Sequence, residues 1–159
     1  MITPHVANTG TESTRHHRHA ADRLLCSFVV EGHASGEPLP EADGRRVGQM
    51  RRVVSALLHH LGPDSLVDTA ELVVSELVTN ALEHGKGEVQ VSVVLTATHV
   101  RLAVSSARTG GRPEVRVAAP DDESGRGLAL VEALSDEWGT TANGTETWAL
   151  CRMGETAAD

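Results

Sequence analysis

"SELVTNALEHGKG", Ser75 to Gly87, places Glu76 and Asn80 four residues apart inside an otherwise apolar run, and the run stops at Gly85. At about 100° per residue, with Glu76 at 0°, the residues Ala70, Val73, Val74, Leu77, Val78, Ala81 and Leu82 fill an arc from about 60° to 240°. This is one buried face of a helix. Glu76 and Asn80 fall beside one edge of that arc, along the rim of a core where a pocket wall would stand. A carboxylate buried there without a partner would cost several kcal/mol. Helical ion pairs cannot supply the partner, because Ser65 to His84 contains Asp68, Glu71, Glu76 and Glu83 and no Lys or Arg. Spacing alone leaves two readings. One is a helix edge solvated by water. The other is a site where Asn80 offers an oxygen to a hydrated Mg²⁺ shared with phosphates, beside a carboxylate able to act as a base.

Around this helix the pattern predicts one domain. A chain of 159 residues is long enough for a single core. Aromatics make up only 2%, so that core must be built from Val, Leu and Ala. "LLCSFVV", Leu24 to Val30, is a continuous apolar run of strand length. Asp43 is positioned to cap a helix whose apolar residues Val47, Met50, Val54, Leu57, Leu58 and Leu61 recur at steps of three and four, ending at Gly62 and Pro63. Its other face carries Arg45, Arg46, Arg51 and Arg52, a solvated stripe or a dock for an acidic partner.

After the central helix, "EVQVSVVLTAT" and "HVRLAVSSA" alternate with period two about a turn near Thr98, which predicts a hairpin. Arg108 to Ser124 is rich in Gly, Pro and Asp and reads as a long, mobile loop of the kind that forms lids. "GRGLALVEAL" reads as a short helix entered from glycines, and "DEWGTTA" and "TETWALCRM" as two strands joined through Asn143 and Gly144. Strands and helices do not alternate as βαβ units. The expected fold is therefore α+β, a two-layer sandwich with helices on one face of a mixed, mostly antiparallel sheet.

The first 21 residues are polar, with His16, His17 and His19 in "TRHHRHAAD", and are expected to form a flexible tail; residues 22–153 form the domain and residues 154–159 a second tail. Cys26 and Cys151 lie in apolar stretches away from any CxxC spacing and read as small core hydrophobes. The net charge of −8 opposes binding to a phosphate backbone, so nucleic acid is not an expected partner. No apolar run reaches the ~18 residues of a membrane span, and the start lacks the apolar core of a secretion signal, so a cytoplasmic location is expected. GxxxxGK[ST] is absent, which excludes P-loop chemistry.

"ELVVSELVTNALEHG", Glu71 to Gly85, resembles the N box of the Bergerat-fold (GHKL) ATP-binding superfamily, and more narrowly that of anti-sigma-factor serine kinases and their actinobacterial relatives. "ESGRGLALVEALSDEWG", Glu123 to Gly139, resembles the glycine-containing G2 box, and "GTETWAL", Gly144 to Leu150, matches the closing strand in position. The resemblance implies a Bergerat sandwich that binds ATP and Mg²⁺. Glu76 would be its general base, Asn80 its magnesium ligand, and His84 would stand near the nucleotide. Gly125, Arg126, Gly127 and Leu128 would surround the phosphates, since glycines let backbone N–H groups approach an anion at a helix N-terminus.

One position departs from the pattern. Where the family has an Asp that accepts a hydrogen bond from the adenine amino group, "LAVSSARTGG" has Ser106. Two functions follow from the resemblance. One is an anti-sigma regulator that transfers the γ-phosphoryl of ATP to a serine of a STAS-domain anti-anti-sigma protein and sequesters a sigma factor, with homodimerisation left open. The other is a domain that has lost nucleotide and survives as a protein-binding module.

Overall fold

In the computed structural model the described residues are 3–6, 21–30, 32, 37–108 and 126–154. Over them the chain runs β1 (Thr3–Val6), β2 (Asp22–Val30), α1 (Glu41–Leu61), a 3₁₀ turn (Asp64–Leu66), α2 (Val67–His84), β3 (Gly85–Leu95), β4 (His99–Arg108), α3 (Arg126–Leu134), β5 (Glu137–Thr140) and β6 (Glu146–Arg152). The strands form one sheet in the order β1-β2-β3-β4-β6-β5. Every pairing is antiparallel, so the expected α+β sandwich forms without the parallel pair that a mixed sheet would contain.

Alternation sends one side of each strand to the helices. Leu24, Cys26, Phe28 and Val30 of β2, Val89 to Leu95 of β3 at every second residue, and Val100, Leu102 and Val104 of β4 join Met50, Val54 and Leu58 of α1 in one core. Through this core runs α2, with Val73, Val74, Leu77, Val78 and Leu82 fully buried, as its apolar arc predicts. Cys26 and Cys151 are buried free thiols of the same core. Burial raises both, and with Asp136 nearby pushes Cys151 up to about 11, which leaves them inert as nucleophiles.

Several boundaries differ from expectation. No side chain caps α1: it begins at Glu41 behind Pro40, whose carbonyl accepts from the Asp43 and Gly44 amides at 3.0 Å. Asp43 is instead in the first turn with Glu41, where both acids suit the positive end of the helix. Within the stretch read as a polar tail, Thr3–Val6 add an edge strand to β2, covering backbone groups that would otherwise remain unpaired. The cluster His16, His17 and His19 lies outside the described residues, as does the predicted lid after Arg108.

Of the four arginines on α1, Arg45 pairs with Glu41 and Arg46 stacks over Phe28, 5.5 Å from the ring centre, whereas Arg51 and Arg52 are exposed. The β5–β6 turn is held by Asn143, whose Oδ1 accepts from the hydroxyls of Thr141 and Thr145 at 2.8 Å each, with Gly144 at φ 71°. Among the described residues, no helix is long and apolar enough to cross a membrane.

Candidate functional site

Two helices bring the site together. Glu76 projects from the middle of α2 toward the first turn of α3, and the two helices flank an open cleft of about 510 Å³ lined by Glu76, Arg126, Gly127, Ala129, Leu130 and Ala133. The approach is close. A Cβ on Gly127 would stand 2.6 Å from Glu76 Oε2.

Glu76 is half-buried, and among the described residues it has no hydrogen bond or ion pair. Burial pushes its carboxyl above the ordinary value of 4.5, and the charge of Glu83 adds to the rise. Burial is the larger cause, and α2 adds to it by bringing Glu83 to the same edge without a Lys or Arg of its own. A carboxyl shifted in this direction is suited to accept a proton.

One turn further along, Asn80 is part-buried, and its amide likewise has no hydrogen-bond partner among the described residues. His84 ends α2, exposed, with Nε2 3.9 Å from Glu83 Oε2. Neither Asn80 nor His84 is among the residues lining the cleft beside α3. Arg126 is exposed at the cleft, whereas Leu128 is buried and is not among the residues lining it. Gly125 lies outside the described residues.

Ser106 stands on the core face of β4, opposite Val89 and only 7% exposed, and its amide donates to the Thr145 carbonyl at 2.8 Å. Its hydroxyl has no partner among the described residues. The same is true of Thr147, 3% exposed on β6, whose register opposite Val104 makes it a diagonal neighbour of Ser106 on that face. Buried polar atoms are rarely left unpaired. Neither residue lines the α2–α3 cleft, but two neighbouring hydroxyls without partners among the described residues would make a polar floor for the edge of a nucleobase. No group of three or more His, Cys, Asp or Glu among the described residues could hold a metal by itself. Oxygen ligands from phosphate and water would have to complete a magnesium shell begun at Asn80.

Sequence reasoning named Arg126 and Gly127 but missed Thr147 and the rest of the α3 wall, Ala129, Leu130 and Ala133. The signal for Thr147 is a hydroxyl at a core-facing position of β6, between Val104 across the ladder and buried Ala149 along the strand. For the wall it is the spacing of Arg126, Ala129, Leu130 and Ala133, which share one side of α3 while Leu128 and Val131 take the other.

No curated protein matches the chain. Residues 40–150 match the histidine kinase-like ATPase domain, a span that holds α1, α2, the β3–β4 hairpin, the α3 wall and β6 as far as Leu150. With Glu76 and Asn80 on its central helix and the cleft between α2 and α3 inside that span, the chain belongs to the histidine kinase-like ATPase domain family.

Proposed function

We propose that the protein is an anti-sigma-type regulator that binds Mg·ATP and phosphorylates a serine on a STAS-domain anti-anti-sigma partner. Membership in an ATPase-like family implies nucleotide binding. The observation that carries the catalytic reading is the half-buried Glu76 carboxyl, raised in pKa and held in the α2–α3 cleft against the glycine turn of α3. Mg·ATP, when bound, supplies the phosphoryl group and the charge that screens it. The chain's residues do the rest: Glu76 takes the proton of the acceptor hydroxyl, Asn80 gives an oxygen to the cation, and the first turn of α3 offers backbone N–H groups to phosphate oxygens.

Asn80→Ala is expected to abolish the Mg-dependent rise in melting temperature that ATP produces, while the ligand-free melting temperature stays near wild type. The side chain is part-buried and makes no hydrogen bond among the described residues whose loss would weaken the fold. An undiminished ATP response in Asn80→Ala would exclude the magnesium role.

Ser106 favours a second reading, a protein-binding module without nucleotide, because a buried hydroxyl stands where the resemblance expects a charged acceptor for adenine. Calorimetric titration of the protein with Mg·ATP separates the two. Saturable binding supports the kinase reading, and its absence together with retained partner binding supports the module.

A further inference from the structure

We propose that Gly127 is a positioning residue for Glu76: the missing side chain in the first turn of α3 makes the space in which the carboxylate stands. It rests on the reading of Glu76 as the base. Backbone freedom does not explain this glycine. The described glycines with positive φ are Gly32, Gly87 and Gly144, whereas Gly127 is in the first turn of α3 with no positive φ to call for a glycine. Space does explain it. A Cβ there would meet Glu76 Oε2 at 2.6 Å, Cδ at 3.6 Å and Cβ at 3.8 Å, and all three nearest atoms belong to this one side chain.

The nearest atom is the far end of a flexible side chain, so alanine at 127 can be accommodated by swinging the carboxylate away. The fold would tolerate the change; the position of the base would not. A displacement of roughly 1 Å at a reacting group can cost on the order of 10²-fold in rate. Gly127→Ala is therefore expected to lower kcat by about 10²-fold with little change in KM for Mg·ATP. Its melting temperature should equal or exceed that of the wild type.

The decisive readout does not depend on catalysis. In a carboxyl NMR titration, Glu76 of Gly127→Ala should titrate lower than in wild type, back toward the ordinary glutamate range, because the displaced group enters solvent. A shorter acid should relieve the clash. In a Glu76→Asp background, Gly127→Ala should cost less than about threefold in kcat, a coupling that a merely structural glycine would not produce. For stability, Gly127→Ala should raise the melting temperature in a Glu76→Ala background by more than it does in wild type. An unchanged Glu76 titration in Gly127→Ala, or an equal loss of melting temperature in both backgrounds, overturns the proposal. If the wild type transfers no phosphoryl group, the kinase reading fails by itself, and the titration and melting comparisons still decide the role of Gly127.

Discussion

Glu76→Gln is expected to lose phosphoryl transfer by about 10²- to 10⁴-fold while binding Mg·ATP as tightly as wild type. The amide keeps the size and most of the polarity of the side chain, so the cleft beside Gly127 stays filled, but it cannot take a proton from the acceptor serine. A second signature comes from stability. In the folded protein the Glu76 carboxyl holds its proton more tightly than in the unfolded chain, because burial first and Glu83 second disfavour its charge. Stability is therefore greatest below the unfolded value of 4.5, falls as pH rises from there through the folded pKa, and stays lower above it. Glutamine removes that loss. The variant should melt above the wild type at neutral pH, and the difference should shrink toward zero below 4.5. Thermal melts across this range test the burial of Glu76, and transfer assays on the same samples test its role. Transfer at the wild-type rate would eliminate Glu76 as the base, whatever the melts show.

This pairing of stability with function shows what was readable from the sequence and what was not. The apolar arc of α2 and the edge position of Glu76 followed from helical geometry, and the structure buries Val73, Val74, Leu77, Val78 and Leu82 while leaving Glu76 part-exposed. Period two placed the β3–β4 hairpin, and Asn143–Gly144 placed its C-terminal counterpart. These are local patterns, carried by neighbours within a few residues.

What escaped was non-local or weakly encoded. The strand Thr3–Val6 is four residues long at a sheet edge, where one ladder to β2 is its pairing and no long alternation marks it. α1 begins behind Pro40 with no side-chain cap, so a search for a capping Asp settles on Asp43, inside the first turn. Gly127 reads from sequence as a phosphate-approach glycine. Its contact with Glu76 joins residues about fifty positions apart, which no periodicity reports. Leu128, adjacent to that glycine in sequence, points its side chain about 100° away from Gly127 and buries it, which leaves only its backbone to face a phosphate. The hydroxyls of Ser106 and Thr147 come together only because β4 and β6 are neighbours in the sheet.

Ser106→Asp should convert that polar floor into a strong adenine site. A carboxylate is an acceptor only, and a hydrogen bond to a charged group contributes about 1.5 to 3 kcal/mol, so ATP and ADP should tighten by roughly 10- to 150-fold. GTP should gain nothing, because its ring presents a carbonyl where adenine presents an amine, and the new carboxylate would face another acceptor. The base preference thus controls for a general change in charge or shape. Without nucleotide the substitution should be harmful. Position 106 is 7% exposed on the core face, opposite Val89, and the neighbouring Thr147 hydroxyl can offer a buried carboxylate one hydrogen bond but no positive charge. The ligand-free protein should therefore melt lower than wild type at neutral pH and recover toward acid, as protonation removes the buried charge. Adenine nucleotides should restore the melting temperature, and guanine nucleotides should not. Calorimetry of both proteins with ATP, ADP and GTP measures the gain directly. Equal, weak binding of ATP by wild type and Ser106→Asp would mean that the base does not sit on the floor formed by β4 and β6, and the adenine end of the site would have to be sought elsewhere along the α2–α3 cleft.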